Sequence, residues 1–204
     1  MNGESGLPAP IGPGRNHGIA AGKPLSPFPV KQQIRISSAQ RQGGSPGMSH
    51  IRNKTIEGLE PGHVFSVART FTEQDMIDFA RITRDYNPVH FDDRFSAANN
   101  FQGRICHGLL VGSLLTEIGG QIGWLASGMD FRFKRPVYFG DTVACDFTIT
   151  DINDRGKAKA KAVFKNQDDI IVLEARLTGI LPAASEKQIL SAMVAEGDPT
   201  NKIA

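Results

Sequence analysis

HGLLVGSLLTEIGGQIGWL, His107 to Leu125, is the most apolar run of any length in the chain, and how it is buried decides the fold. Leu109, Leu110, Val111, Leu114, Leu115, Ile118 and Ile122 spread around most of a helical circumference, with Gly108, Gly112, Ser113, Gly119 and Gly120 between them. A helix apolar on nearly every side belongs inside a protein. At 19 residues interrupted by Gly119-Gly120, it is too broken to cross a bilayer, which asks for about 20 continuous apolar residues. The run therefore predicts a central helix over His107–Leu125 that something else must enclose.

The segments downstream supply the enclosure. MDFRFKRPVYFGDTVACDFTITDI places Phe131 and Phe133 on one side, breaks at Pro136, turns at Gly140-Asp141 and resumes with Val143, Cys145, Phe147 and Ile149. GKAKAKAVFKN alternates Lys157, Lys159 and Lys161 with Ala158, Ala160 and Ala162, a strand with one wet face and one face close to a neighbour. A further strand is expected from Ile170 to Leu181. Polar turns and no helix separate the last three strands, so an antiparallel sheet wrapped on the long helix follows.

Upstream, Phe65, Val67, Arg69 and Phe71 alternate as a strand after a Pro61-Gly62 turn. FTEQDMIDFARIT then carries a capping pattern, Thr72 with Asp75, ahead of an apolar stripe through Met76, Phe79 and Ala80. That helix is expected to stop near Thr83, with Asn87-Pro88 enforcing the stop because a residue before proline is pushed to an extended conformation.

Composition limits the alternatives. The chain has 204 residues and a net charge of +2, which favours one domain with no concentrated basic face for nucleic acid. Cys106 and Cys145 lack CxxC spacing and sit in apolar surroundings, as buried free thiols of a reducing compartment do. Residues 1–47 are rich in Gly, Pro, Ser and Gln, and are expected to be a disordered extension, with a start of translation at Met48 or an organelle targeting segment as alternatives. Glu4 is the sole acid there against Arg15, Lys23, Lys31, Arg35 and Arg41, yet the prolines and glycines oppose an amphipathic transit helix. The domain proper is expected over 48–182, and 183–204 as a tail with a short peripheral helix that then frays. The cytoplasm is the expected compartment, with organelle targeting open.

TRDYNPVH, Thr83 to His90, gathers Asp85, Asn87 and His90 ahead of the buried helix. An Asx turn with a chance histidine would explain it. So would an acid-base pair: Pro88 sets the curvature of a loop on which Asp85 and His90, five residues apart, can converge on one water. Asn87 can hold the loop or one of the pair, and Gly108 leaves a helix N-terminal amide open to a substrate oxygen. His107 reads as a structural cap or hydrogen-bond partner rather than a proton carrier. His63, His90 and His107 have no ligand spacing, so no metal site is expected.

FARITRDYNPVHFDDRFSAANNF with GRICHGLLVGSL, and FKRPVYFGDTV further on, closely resemble the signature of the MaoC-like (R)-specific enoyl-CoA hydratases, over most of Gly58–Leu181. The resemblance implies an α+β hot-dog fold, with an antiparallel sheet of about five strands around the long helix. It implies reversible hydration of a trans-2-enoyl-CoA to a (3R)-3-hydroxyacyl-CoA, with Asp85 and His90 catalytic and the Gly108 amide on the thioester oxygen. Thr116 falls where the family lines its acyl pocket, and Lys134 and Arg135 could meet the phosphates of CoA or be solvated edge charges. No metal or redox cofactor is implied, and a homodimer or higher homo-oligomer is. Arg84 departs from the family, which often has a small or acidic residue there; turned inwards it would favour the Asp85 carboxylate, turned outwards it could touch a partner or CoA. A dehydratase for branched or dicarboxylic acyl-CoA, a non-catalytic acyl-CoA-binding module and, more weakly, a thioesterase remain as rivals.

Overall fold

The computed structural model describes residues 50–198; the expected extension over 1–47 lies outside them. Five strands form one antiparallel sheet in the order β1-β3-β4-β5-β2: β1 Val64–Thr70, β2 Leu125–Phe133, β3 Thr142–Ile152, β4 Lys157–Lys165 and β5 Ile171–Ile180. The topology is the α+β hot-dog arrangement. Val143, Cys145, Phe147 and Ile149 of β3, with Ala158, Ala160, Ala162 and Phe164 of β4, are buried on one face. Their intervening partners face out, so the period-2 alternation expected of a half-buried sheet holds along both strands.

The central helix is two pieces, α4 Gly108–Gly112 and α5 Leu114–Ile122, separated at Ser113. The Gly119-Gly120 pair sits inside α5 and does not interrupt it. Leu114, Leu115, Ile118 and Ile122 pack with Phe147, Phe164 and Leu173 into the core. The helix also ends earlier than its apolar composition suggests. Gly123 takes a left-handed conformation at φ 74° and closes α5, which an L residue would resist. Trp124 and Leu125 then leave the helix, and β2 begins at Leu125 rather than at Met129.

Helix α2, Glu73–Thr83, has the expected capping box: Asp75 N–H donates to the Thr72 hydroxyl at 3.2 Å, and the Asp75 carboxylate accepts from Thr72 N–H at 2.8 Å. Its end is set differently from the expectation. Arg84 stops it in the left-handed region at φ 58°, its N–H bonded to Ala80 O, and Asn87-Pro88 instead opens a 3-10 turn over Pro88–His90. The short helix α3, Asp93–Ala98, follows.

Two helices flank the family-like core. Helix α1, His50–Glu57, was not foreseen as a helix; it buries Ile51, Arg52 and Thr55. Helix α6, Ala184–Ala195, is the expected tail helix. Beyond it the chain does not fray at once: Asp198 is buried and ion-paired to Arg52.

Candidate active site

The site begins with the loop that Arg84 releases from α2. Asp85 Oδ1 accepts from Asn87 N–H at 3.2 Å, and Asn87 Oδ1 accepts from Val89 N–H at 3.2 Å. The Asx turn is therefore present, and its effect is to aim the loop. Ser96 of α3, fully buried, donates its hydroxyl to Val89 O at 2.8 Å and fixes the 3-10 turn from behind. His90 is thereby carried inwards, 7% exposed, while Asp85 stays at the rim with half its side chain exposed.

From the other side comes the strap Ile105–Gly108. It is anchored by Cys106 N–H to Val137 O at 2.8 Å and by an isolated bridge between Ile105 and Tyr138. His90 Nδ1 lies 2.9 Å from Ile105 O. A carbonyl only accepts, so Nδ1 carries the proton and the Nε2 lone pair of a neutral His90 faces the cavity. Asp85 Oδ2 is 4.0 Å from that Nε2. The gap is too long for a direct hydrogen bond and fits one bridging oxygen. Burial pushes the His90 imidazole below its ordinary value, against the Ile105 carbonyl and Asp85, which pull it up; the neighbouring His107 ring also lowers it.

Asp85, His90, His107, Gly108, Lys134 and Arg135 all line one mainly apolar cavity of about 450 Å³. Its walls include Phe101, Ile105, Leu109, Phe133 and Val172. A Cβ on Gly108 would stand 2.5 Å from the Phe133 ring, so glycine is what lets α4 approach β2 here. The neutral Cys106 thiol completes the floor, its pKa pushed up to about 12 by burial. Burial raises Cys145 as well, and both are free thiols.

Some expected residues stand elsewhere. Thr116 is exposed on α5 and donates its hydroxyl to Ser113 O at 2.7 Å; it does not line the cavity. Eight residues of helix turn it about 80° from Gly108 even without the break at Ser113. Asn87 is exposed and shapes the loop without reaching the cavity. Arg84 is exposed and outside the lining. Lys134 is engaged with Glu174 at 2.8 Å, while Arg135 donates to the Lys134 carbonyl at 2.9 Å.

His107 is the residue that the sequence undervalued. It offers no side-chain cap to α4. Instead its ring is 1% exposed, stacks on His90 with centroids 3.8 Å apart, and brings Nε2 to 2.9 Å from Asp85 O. The histidine spacing gave no hint of a ligand set, yet Asp85, His90 and His107 offer atoms within 4.8 Å of one another. The hydrogen bonding opposes a metal: His107 Nε2 must hold a proton to donate to the Asp85 carbonyl, which removes it as a ligand.

With this geometry in place, residues 58–169 match the model of the MaoC like domain. The chain belongs to the MaoC-like domain family. Among relatives, the mitochondrial 3-hydroxyacyl-[acyl-carrier-protein] dehydratase of Arabidopsis thaliana is 29% identical over 140 residues, 66% of this chain and 83% of the relative. The (R)-specific enoyl-CoA hydratase of Aeromonas caviae is 31% identical over 104 residues, 49% of this chain and 78% of the relative. Among solved structures, the (R)-hydratase from A. caviae superposes with a TM-score of 0.58 at 28% identity, covering 62% of this chain and 99% of that one. Helices α1 and α6, like the core strand β5, lie outside the matched residues.

Proposed function

We propose that this chain catalyses reversible hydration of a trans-2-enoyl thioester to the (3R)-3-hydroxyacyl thioester, with Asp85 and His90 as the proton-transferring pair and CoA as the carrier. Membership of a family whose named relatives are hydratases and dehydratases makes it a hydro-lyase. The observation that carries the finer reading is the bare Nε2 of His90 facing Asp85 Oδ2 across 4.0 Å at the wall of an apolar cavity.

A water between those two atoms is polarised from both sides. As it adds to the β-carbon, the π electrons move onto the thioester oxygen and the water proton passes to the pair. The pair then returns a proton to the α-carbon and ends in its initial state. The Gly108 N–H, at the first position of α4 and with no intrahelical partner, is the proposed donor to the developing oxyanion. Because α4 stops after five residues, that role rests on the N–H itself more than on a long-helix dipole. Each step is a proton transfer or an addition, so no metal or redox cofactor is proposed. Arg135 is the better placed of the two basic residues for the carrier's phosphates, because Lys134 is paired with Glu174.

A second reading, an acyl-carrier-protein dehydratase, is favoured by the Arabidopsis relative of that name. Loss of enoyl absorbance from crotonyl-CoA and from crotonyl-acyl carrier protein, with the wild type, Asp85→Ala and His90→Ala, tests both. Turnover of the CoA thioester abolished in both variants supports the proposal; turnover of the carrier-protein thioester alone shifts it to the second reading. Tight acyl-CoA binding without turnover on either carrier would leave a binding module.

A homodimer is proposed with it. Strands β1 and β2 are the sheet edges, and β2 exposes Leu125, Met129 and Phe133 along an unpaired ladder. Sedimentation of the full chain at the monomer mass would overturn this. No helix among the described residues is long and apolar enough to cross a membrane. We propose the cytoplasm as its compartment; import of a full-length fluorescent fusion into mitochondria would overturn that.

A further inference from the structure

We propose that His107 is a positioning residue, whose Nε2–H ties the acid-base loop to the amide at Gly108; the inference rests on the hydratase reading above. Two hydrogen bonds and the proposed oxyanion donor meet on the strap Ile105–Gly108. Ile105 O accepts from His90 Nδ1 and fixes the tautomer of His90. His107 Nε2 donates to Asp85 O across 22 residues of sequence at 2.9 Å. Gly108, the next residue, supplies the proposed oxyanion donor. One imidazole therefore sets the separation between the carboxylate, the base and the amide, and all three must keep register for one addition.

The ring is held on several sides: His90 stacks on it at 3.8 Å, Phe79 lies 5.2 Å away tilted, and Phe91 meets it edge-on at 6.2 Å. It cannot turn without disturbing the His90 ring. Its other nitrogen, Nδ1, is buried with no hydrogen-bond partner among the described residues. A side chain present only to fill space would not strand a polar atom, since burying one unpaired is unfavourable and Phe or Leu would fill the volume without it. The bare Nδ1 is what remains when Nε2 is committed to the Asp85 carbonyl.

Two variants separate holding from filling. His107→Phe keeps a ring against His90 and loses the donor; His107→Gln loses the ring and keeps an N–H near the ε position. If one atom misplaced by an ångström is costly, kcat of His107→Phe on crotonyl-CoA falls about 100-fold or more while KM stays within about threefold. His107→Gln then returns kcat to within about tenfold of the wild type. Melting curves establish that both are folded. Nitrogen chemical shifts of His107 in the wild type need no variant and should show Nε2 protonated and Nδ1 bare. Full kcat in His107→Phe, equal loss in Phe and Gln, or protonation at Nδ1 would each overturn the proposal. A wild type inactive on both carriers would instead sink the hydratase reading, a result distinguishable from an active wild type insensitive to His107.

Discussion

The two ends of the central helix are built on opposite principles. At the end of α5, Arg52 of α1 donates to the carbonyls of Gln121 at 3.3 Å and Gly120 at 3.1 Å, and its charge is balanced by the buried carboxylate of Asp198. The last carbonyls of a helix lack intrahelical partners; here the Arg52 guanidinium of α1 supplies the donors, and the carboxylate of Asp198, just past α6, balances its charge. At the beginning of α4, His107 gives the helix no side-chain cap, its Nδ1 has no hydrogen-bond partner among the described residues, and a cavity of about 450 Å³ opens. A helix end whose carbonyls are closed off by a buried guanidinium serves stability, whereas one that opens on a cavity serves a ligand.

The largest expected effect falls at the open end. Asp85→Asn, at the exposed rim, should lower kcat by about 10³-fold or more, roughly 4 kcal/mol of transition-state stabilisation, while the melting temperature barely moves. Equal loss of melting temperature would show that this end is structural after all. The converse holds at the closed end: Arg52→Met removes the buried ion pair to Asp198 and the donors to the Gly120 and Gln121 carbonyls together, and should cost about 3 kcal/mol of stability. For a chain of this size that is a fall of about 10 °C, with kcat per folded molecule unchanged. A smaller effect separates two glycines one turn apart. A Cβ at Gly108 meets the Phe133 ring at 2.5 Å and one at Gly112 meets the Phe131 ring at 3.0 Å. Gly108→Ala, beside the reacting thioester, should lower kcat about tenfold, or roughly 1.4 kcal/mol, whereas Gly112→Ala should change melting temperature alone. Equal effects on kcat would show that the Phe packing, and not the Gly108 amide, controls this end.

The same contrast explains what the sequence could disclose. Strands β3 and β4 were legible because their residues alternate between a buried face and water, and so was the cap of α2, whose partners lie three residues apart. The first half of β2 was not: it runs along the free sheet edge with both faces exposed, so Leu125–Met129 has no alternation to betray it. Helix α1 is weakly apolar, and Arg52 is buried only because carbonyls distant in sequence need donors. At the site, Asp85 and His90 were visible as a spaced pair on one loop. The reach of His107 to Asp85 was invisible, because it depends on where a second segment crosses the first. Thr116 was misplaced for a related reason: a position counted along a helix says nothing of the turn at Ser113 or of which face the cavity takes.

The smallest effect concerns charge at the open end. Burial holds the His90 imidazole below its ordinary value of 6.5, with the Ile105 carbonyl and Asp85 opposing and the His107 ring assisting. Because the folded value lies below the unfolded one, the unfolded chain takes up this proton first as the pH drops. The contribution of neutral His90 to stability is therefore complete above about 6.5 and is lost as pH falls from there towards the folded value. His90→Gln should remove that part of the pH dependence and leave the rest of the melting curve series in place. If neutral Nε2 is the atom that accepts the water proton, the acid limb of kcat/KM must also lie below 6.5. An acid limb above that value would mean that Asp85 stabilises imidazolium more than burial opposes it. The open end would then hold an ion pair, satisfied as the Arg52 end is, and the contrast between the two ends would fail.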